Sequence, residues 1–251
     1  MQETNHQIIK GDAIAVLTNE IVDKSIDLIF ADPPYNIGKT FNSTKDKWKS
    51  QEDYLSWCYE WIELCIKKLK PNGSFYLMAA TQYMPYLDIF IRNRIHILSR
   101  IVWSYDSSGV QAKKHYGSMF EPILYCVMDK NAYTFNAKDI MVDAKTGSKR
   151  KLIDYRKKIP RIYNSEKVPG NVWNFSRVRF KMKEYYDHPT QKPVELLKRI
   201  IKASSNQGDL ILDPFSGTFT TSFVAKSLNR NSIGIEIDNK YVDIGKIRLN
   251  S

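Results

Sequence analysis

The sequence predicts an α/β fold built on a wound sheet, and three observations support this prediction. The chain has 251 residues, of which 43% are hydrophobic, so it can bury a sizeable core. Short apolar runs of strand length recur along the chain. Segments with helical spacing lie between several of these runs, and such an alternation is typical of α/β proteins.

Seven runs are predicted strands and four segments are predicted helices. The strands are residues 6–11, 26–31, 74–80, 100–105, 123–128, 210–213 and 232–237, and the helices are residues 51–69, 194–204, 218–228 and 240–249. The first helix has the clearest pattern, because its apolar residues recur every three or four positions. Ser50 and Asp53 are its predicted capping pair, and the run from Lys70 to Gly73 is expected to end it.

Charge and composition narrow the class of protein. A net charge of +11 favours a polyanionic partner, nucleic acid above all, although a basic protein without such a partner is an alternative. Cys58, Cys65 and Cys126 form no C-x-x-C motif, so they fit a reducing cytoplasm and give no sign of a zinc site. The sequence shows no signal-peptide core and no apolar run near the roughly 18 residues of a membrane helix. We therefore expect a cytoplasmic protein that does not enter a membrane.

Residues 129–187, here called the basic segment, differ from the rest of the chain. They hold 15 Lys and Arg against 7 Asp and Glu, a net charge of +8 out of +11, with interleaved aromatic residues and little periodicity. We interpret the basic segment as an insertion on the sheet that is used for binding, because aromatic and basic residues together are typical of nucleic-acid surfaces. A charged surface far from any ligand is the alternative.

The C-terminal motif "DLILDPFSGTFTTSFVAK" indicates a nucleotide-type pocket. It contains a predicted strand with Asp213 at its tip, a turn at Gly217 and a helix, and Glu236 ends the next strand nineteen residues after Gly217. The glycine lets backbone approach a ligand, and the carboxylate can accept hydrogen bonds from ribose hydroxyls. Since neither G-x-G-x-x-G nor a P-loop lysine is present, an adenosine with a cationic tail fits better than a dinucleotide. A tight turn with a charged strand end is the alternative.

The stretch "FADPPYN", at residues 30–36, predicts a second site where a strand ends. Pro33 and Pro34 fix φ and lack an N–H, so this turn cannot rejoin a ladder. Asp32 and the Pro33 carbonyl then offer two acceptors, which match one exocyclic –NH₂ group, and Tyr35 can stack on the base that bears it. Holding both N–H bonds stabilises the positive charge that develops when the amine attacks. The alternative is a proline turn with a surface acid.

The motif "DPPY" followed by "DPF-x-G" resembles the amino-group DNA methyltransferases. The order of catalytic motif, variable basic region and cofactor motif is similar to the permuted beta class, which holds mostly adenine-N6 enzymes. "HPTQKPVELLKRII", "DSSGVQAKKHYGSM" and "EPILY" further resemble the small solitary adenine methyltransferases of enterobacteria. The resemblance runs from "IIKGDAIAVL" to the C-terminus. It implies a Rossmann-like methyltransferase fold with a seven-stranded mixed sheet, helices on both faces and a circularly permuted motif order.

The resemblance also implies three parts and an activity. Residues 1–128 are the expected catalytic half, residues 129–187 the target-recognition insertion and residues 188–251 the cofactor-binding half. The implied reaction moves a methyl group from S-adenosylmethionine to N6 of an adenine flipped out of double-stranded DNA, with S-adenosylhomocysteine as product and no metal. A homodimer and a cognate restriction endonuclease are partners compatible with the resemblance.

The positions that match the family's motifs give the expected site. The catalytic residues are Asp32, Pro33, Pro34 and Tyr35. The cofactor-binding residues are Asp12, Ala31, Asp32, His188, Thr190, Gln191, Lys192, Asp213, Pro214, Phe215, Ser216, Gly217, Thr218, Glu236 and Ile237, with a solvated side chain as the alternative for Lys192. Expected DNA contacts are Lys39, Lys113, Lys114, His115, Arg156, Lys157, Lys158, Arg177 and Arg179, and residues 36–49 are expected to close over the flipped base.

One position departs from the family pattern. The usual D-P-F-x-G-S-G-T-T reads D-P-F-S-G-T-F-T-T here, so Phe219 replaces a glycine. A large ring at this position should either reshape the pocket floor or pack behind the helix that follows.

Other activities are compatible with parts of the sequence. Cytosine also presents an amine, but the family's cytosine-N4 enzymes usually carry Ser where Asp32 stands. Guanine-N2 enzymes that act on RNA use similar tetrapeptides but usually lack the permuted order. A non-catalytic DNA-binding protein could keep the fold, yet the intact catalytic motif and Glu236 argue against it. Adenine-N6 methylation of DNA is therefore the prediction.

Overall fold

The computed structural model describes residues 4–42, 44–106, 113–144 and 152–250. In chain order its elements are β1 (His6–Lys10), α1 (Ala13–Asn19), β2 (Ile26–Ala31), β3 (Thr40–Phe41), β4 (Thr44–Lys45), α2 (Gln51–Lys68), β5 (Leu69–Met78), α3 (Met84–Arg92), β6 (His96–Ser104), β7 (Phe120–Val127), a 3₁₀ turn (Ala137–Ile140), β8 (Val142–Asp143), β9 (Ile153–Asp154), β10 (Arg161–Ile162), β11 (Glu166–Lys167), β12 (Val172–Asn174), α4 (Val194–Ser204), β13 (Leu210–Asp213), α5 (Thr220–Ser227), β14 (Asn231–Glu236) and α6 (Asn239–Asn250).

The main sheet has eight strands in the order β1-β14-β13-β2-β5-β7-β6-β12. Within it β7 runs antiparallel to both of its neighbours, whereas the other paired strands are parallel to one another. All seven predicted strands are present, with ends that differ by up to five residues. The eighth strand, β12, comes from the basic segment and extends the sheet next to β6, so the segment is partly built into the sheet.

The predicted helices are all present, and two further helices were not predicted. Helix α2 begins after Ser50, whose hydroxyl accepts from the Asp53 N–H at 3.0 Å as the capping pair requires. It ends at Lys68 because Leu69 already begins β5. The two missed helices, α1 and α3, have seven and nine residues, which is too short for a clear periodic pattern. The ribbons formed by β3 with β4 and by β8 to β11 have only two residues per strand.

Helices cover both faces of the sheet. Helices α1, α2 and α3 pack on one face, where Trp61 and Leu87 are fully buried. Helices α4 and α5 pack on the other face, where Ile200 and Val224 are fully buried against β2, β5, β7 and β13. None of the helices in the described ranges is long and apolar enough to cross a membrane.

This topology brings acidic residues from distant parts of the chain to one edge. Strands β1, β14, β13 and β2 are adjacent and parallel, so their carboxyl ends meet. Asp12, Asp32, Asp213 and Glu236 stand at or just beyond these four ends. Because β7 is antiparallel, its first residues also lie at this edge, beside the end of β6.

Candidate active site

The carboxyl ends of the four parallel strands border a cavity of about 300 Å³. The side chains and backbone that line it come from both predicted motifs and from the β3–β4 hairpin. Among them are Asp12, Asp32, Pro33, Pro34, Phe41, His188, Thr190, Gln191, Lys192, Asp213, Pro214, Phe215, Ser216, Gly217, Thr218, Glu236 and Ile237. Ala31 is the exception among the predicted cofactor-binding residues, since it is fully buried in the core and does not line the cavity, whereas its neighbour Phe30 does.

Glu236 holds the turn that follows β13. One of its carboxylate oxygens accepts from the Gly217 N–H at 2.8 Å and the other from the Asp238 N–H at 2.8 Å. Gly217 has φ +50°, and a Cβ there would lie 3.0 Å from Nε2 of His188. The turn therefore needs glycine. Burial raises the pKa of Glu236, although the backbone N–H donors oppose this.

Asp213 lies deeper at the same edge and fixes the loop from inside. Its carboxylate accepts from the Phe215 N–H at 3.0 Å and from the Thr221 hydroxyl at 2.5 Å. Burial raises the pKa of Asp213 to about 7, and the nearby Asp32 and Glu236 carboxylates add to the rise. Its contacts in the structure are with the loop, so Asp213 shapes the cavity.

Phe219 does not line the cavity, and its ring packs against β14 and α6. The ring is fully buried, and Cβ atoms added to Gly234 and Gly245 would lie within about 2.6 Å of it. Two glycines on β14 and α6 thus make room for the ring. Phe219 has φ +56°, a left-handed conformation that favours glycine.

His188 forms one wall of the cavity. Its ring contacts Tyr241 edge-on, with 4.5 Å between ring centroids, and Phe41 of β3 at 5.6 Å. Burial lowers the pKa of His188 to about 3, and the nearby Lys192, Lys39 and Lys240 add to this effect. The imidazole is therefore neutral at physiological pH and serves as a flat wall.

Asp32 is the centre of a network of four polar side chains. The Tyr35 hydroxyl donates to one carboxylate oxygen of Asp32 at 2.7 Å, and Nζ of Lys192 forms an ion pair with the other oxygen. The same hydroxyl lies 3.1 Å from Oε2 of Glu121, and Nζ of Lys192 lies 3.7 Å from that oxygen. Two carboxylates therefore share one ammonium group and one phenol.

Burial and the charges within the network shift the pKa values of Asp32, Lys192 and Tyr35. Burial raises the pKa of Asp32, while the ammonium group of Lys192 opposes this rise. Burial alone would lower the pKa of Lys192, but the carboxylates of Asp32 and Glu121 together raise it, so Lys192 stays charged. Burial and the two carboxylates raise the pKa of Tyr35 well above its usual value, and the phenol stays neutral.

The chain after the catalytic tetrapeptide is held by one buried acid. Asp46 is 4% exposed, and its carboxylate accepts from the backbone N–H groups of Tyr35 at 3.2 Å, Ile37 at 3.5 Å and Lys39. The carbonyl of Pro34 accepts from the Tyr54 hydroxyl at 2.9 Å. These bonds fix the backbone on which Asp32 and Tyr35 stand, without using the Asp32 carboxylate.

The residues that were expected to contact DNA fall into two groups. Lys39 and Arg177 lie near the network: Nζ of Lys39 donates to the Pro189 carbonyl at 3.2 Å, and the Arg177 guanidinium lies 5.0 Å from the Tyr105 ring. The others lie farther out on the surface. Lys113, Lys114, His115, Lys157 and Lys158 are exposed, Arg156 pairs with Asp154, and Arg179 donates to the Asp106 carbonyl. Residues 107–112, which precede Lys113, lie outside the described residues.

Some aromatic residues of the basic segment belong to the core. Trp173 is 7% exposed and packs in the hydrophobic cluster under α4, with the Arg199 guanidinium over its ring and over that of Phe175. The interpretation of the interleaved aromatic residues as a binding surface was therefore wrong for Trp173, which β12 places in the core. Tyr155 and Phe180 are 74% and 72% exposed and keep that interpretation open.

Sequence reasoning missed Glu121 and Asp46. Glu121 opens the motif "EPILY" that carried part of the family resemblance, but no role was assigned to it, and Asp46 lies in a polar run without a local pattern that marks it. The available signal for Glu121 was that an acid opens a strand that is otherwise buried. Within the described residues, no group of three or more His, Cys, Asp and Glu side chains is arranged to hold a metal ion.

Comparison with known proteins identifies the relatives of this chain. Residues 26–246 match the family of N6 and N4 methyltransferases described as DNA methylase. The chain is 58% identical over 242 residues to the DNA adenine methyltransferase YhdJ of Escherichia coli K12, covering 96% of this chain and 82% of that protein. It is 36% identical over 249 residues to the type II methyltransferase M.HpaI of Haemophilus parainfluenzae, covering 98% and 75% of the two chains.

Solved structures show the same fold. The M1.HpyAVI–SAM complex superposes with a TM-score of 0.69 at 24% identity, covering 98% of this chain and all of that one. The cytosine-N4-specific PvuII DNA methyltransferase superposes with a TM-score of 0.74 at 18% identity, covering 98% and 86%. The permuted motif order, the mixed sheet and these matches lead to one conclusion: the chain belongs to the N6/N4 DNA methylase family.

Proposed function

We propose that this protein transfers a methyl group from S-adenosylmethionine to N6 of an adenine in double-stranded DNA. One observation carries the proposal: a single cavity is lined both by Asp32, Pro33 and Pro34 and by the loop around Gly217 and Glu236. The acceptor of an exocyclic amine and the expected cofactor site thus open into the same space. The identity to a DNA adenine methyltransferase over most of the chain supports the choice of base.

The residues present fit the proposed cofactor. Glu236 presents a carboxylate at the end of β14, where ribose hydroxyls can donate to its remaining lone pairs. Asp12 and Asp238 add negative charge to the cavity, which favours a cationic ligand. Phe215 and the neutral His188 supply apolar surface. When bound, S-adenosylmethionine supplies an electrophilic methyl group on a positively charged sulfur.

The catalytic residues act on the amine. Asp32 and the Pro33 carbonyl accept its two N–H bonds, which stabilises the positive charge that develops on nitrogen during attack. The ammonium group of Lys192 favours the ionised form of Asp32 against the effect of burial on its pKa, and the ionised carboxylate is the acceptor for the amine. Asp46 fixes the backbone of the turn, and pre-organised groups of this kind need no rearrangement during the reaction.

We expect the DNA to bind on the side of the protein that carries the basic segment. A base that is stacked inside a duplex cannot enter a cavity at the carboxyl ends of the strands. The adenine must therefore be flipped out of the duplex, at a cost of a few kcal/mol. We assign target recognition to the basic segment, because it holds most of the excess positive charge. Residues 36–49 contribute Phe41, Lys45 and Trp48 to the wall of the cavity, which supports a role in covering the flipped base.

The test is a methyl-transfer assay with radiolabelled S-adenosylmethionine and plasmid DNA, followed by separation of the nucleosides. We expect the label in N6-methyl-2′-deoxyadenosine. Label in N4-methyl-2′-deoxycytidine would replace the proposal by cytosine-N4 methylation. DNA binding without any transfer would replace it by a non-catalytic role. Single-molecule sequencing of DNA from cells that express the chain would give the base and the site together.

A further inference from the structure

A second carboxylate, Glu121, stands at the proposed reaction centre. It is the second residue of the antiparallel strand β7, opposite Trp103 on β6, so it reaches the edge where the parallel strands end. Its Oε2 atom is 3.1 Å from the Tyr35 hydroxyl, and that hydroxyl is 2.7 Å from Oδ1 of Asp32. One hydroxyl therefore joins the two carboxylates in a continuous hydrogen-bond chain.

This position is unfavourable for a carboxylate that has only a structural role. The side chain of Glu121 is 17% exposed and that of Asp32 is 14% exposed, and both pair with the ammonium group of Lys192. The Tyr105 hydroxyl also bonds to Glu121, and the Lys39 charge lies nearby. The Glu121 charge also adds to the rise in the pKa of Asp32. A glutamine could accept the same hydrogen bond from Tyr35 without this repulsion. Like charges held together at a reaction centre indicate a function that needs the charge.

We propose that Glu121 is the terminal proton acceptor of the methyl transfer, reached from the amine through Asp32 and the Tyr35 hydroxyl. The inference rests on the proposed function, because it assumes that an exocyclic amine is methylated beside Asp32.

The chemistry balances along this chain. As the amine nitrogen forms its bond to the methyl carbon, the bond between that carbon and sulfur breaks and its electron pair stays on sulfur. The nitrogen becomes positively charged, and one of its N–H bonds then breaks to give the proton to Asp32. Asp32 passes a proton to the Tyr35 oxygen while the hydroxyl proton of Tyr35 moves to Glu121. One proton rests on Glu121, and Asp32 and Tyr35 return to their starting states.

Electrostatics favour this final state over a proton that stays on Asp32. Asp32 is in direct contact with Lys192, whereas Oε2 of Glu121 is 3.7 Å from Nζ. Protonation of Asp32 would remove the nearest counter-charge of a buried ammonium group, which is strongly unfavourable. Protonation of Glu121 keeps the Asp32–Lys192 pair intact. Tyr35 remains a neutral phenol throughout, so it hands the proton on in a concerted step.

The first experiment compares Glu121→Gln, Tyr35→Phe and the double variant with wild type. The measurement is the single-turnover rate of methyl transfer with saturating radiolabelled S-adenosylmethionine and plasmid DNA. Each single change should lower the rate by at least about tenfold, in line with the contribution of positioned proton acceptors. The double variant should be no slower than the slower single variant, since both changes break the same chain. Cofactor affinity, measured by calorimetry, should stay within about twofold.

The pH profile separates a proton acceptor from a structural residue. In Glu121→Gln the rate should keep rising with pH above the point where wild type levels off, because hydroxide replaces the lost acceptor. A structural defect would lower the rate equally at all pH values. Glu63→Gln is the matched control, since Glu63 is 50% exposed and pairs with Arg94 away from the cavity, and it should keep the wild-type rate and profile.

The outcomes separate failure of the relay from failure of the proposed function. A wild-type protein that transfers no methyl group to DNA overturns the proposed function. An active wild type with Glu121→Gln within twofold of its rate, or with additive effects in the double variant, overturns only the relay. If Glu121→Gln does not bind the cofactor, Glu121→Ala is assayed with added formate: a formate-dependent increase in rate supports the relay, and none overturns it.

Discussion

The cavity and the basic segment hold charge in opposite ways. In the cavity the carboxylates of Asp213 and Glu236 are buried and held by specific donors, as Glu236 is by two backbone N–H groups. In the basic segment Arg156 has 79% of its side chain exposed, and Lys157 and Lys158 beside it are exposed as well. A buried charge has few alternative partners, whereas exposed charges are screened and interchangeable. Single substitutions should therefore have large effects in the cavity and small, additive effects in the basic segment.

The largest effect is expected at Asp32. Asp32→Ala removes the acceptor of the amine and leaves Lys192 without its closest partner, so methyl transfer should be abolished. Cofactor affinity should stay within a few-fold, because the contacts of Glu236 and the Gly217 turn are unchanged. A filter assay with radiolabelled cofactor measures the first quantity and calorimetry the second. Asp243→Ala changes an exposed acid on α6 and should behave as wild type. Turnover near wild type in Asp32→Ala would contradict the assignment.

The next effect concerns stability and tests the burial of charge in the cavity. The pKa of Asp213 rises from 3.8 to about 7 on folding, so the folded protein binds this proton more tightly than the unfolded chain. This contribution to stability is fully present below about pH 4 and is lost as the pH rises to about 7. Between pH 5 and pH 8 the loss should be about 2–3 kcal/mol, at about 1.4 kcal/mol per pKa unit.

Urea unfolding at both pH values, without cofactor, measures the whole pH dependence, to which His188 contributes in the opposite direction because its pKa is lowered on folding. The Asp213 contribution is therefore the difference in pH dependence between wild type and Asp213→Asn, whose amide does not titrate. Asp243→Asn, in which the exposed acid is changed, should keep the wild-type pH dependence. Equal pH dependence in wild type and Asp213→Asn would mean that the pKa of Asp213 is not raised on folding.

The same contrast explains how much the sequence could predict. The cofactor loop follows from residues close together in the chain, since strand, turn and helix occupy residues 210–227. Its residues line the cavity as expected, including Gly217 with its positive φ. Ala31 does not line the cavity whereas Phe30 does, because alternate strand residues point to opposite faces and only a known register decides which one meets the cavity.

Long-range contacts could not be read from local patterns. Tyr35 and Glu121 are 86 residues apart and meet because β7 reverses direction within the sheet. The place of Trp173 in the core depends on β12, a strand of three residues beside β6. In both cases the pattern of residue types was visible, but the strand order that gives it meaning was not.

A smaller effect is expected at Glu236. Loss of a charge-assisted hydrogen-bond pair to ribose is worth roughly 1.5–3 kcal/mol, so Glu236→Ala should weaken cofactor binding by roughly ten- to a hundred-fold. The structure adds that Glu236 also holds the Gly217 and Asp238 N–H groups. Glu236→Gln keeps one acceptor for this loop and should lose less affinity than Glu236→Ala. Calorimetry measures both, with Glu195→Ala, an exposed acid on α4, as control. Unchanged affinity in Glu236→Ala would refute the role.

The smallest effects are expected in the basic segment, where charge should act by number. Replacing Lys157 and Lys158 by Gln removes two positive charges from exposed positions without changing a described ion pair. Each phosphate contact that is lost should reduce the slope of log affinity for DNA against log salt by about 0.9, so the pair should reduce it by up to about 1.8. The weakening should be equal for DNA of any sequence, since phosphate contacts carry no base information.

The control for this change must have the same net charge. Replacing Lys67 and Lys246 by Gln also removes two exposed lysines, but from α2 and α6, outside the basic segment. If the basic segment holds the DNA, the Lys157/Lys158 variant flattens the salt slope and the control variant does not. If both variants flatten it equally, DNA responds to the charge of the whole protein. If neither variant flattens the salt slope while cofactor binding is intact, the DNA binds elsewhere on the protein. The basic segment would then not be the region where interchangeable charges bind DNA, in contrast to the individually fixed charges of the cavity.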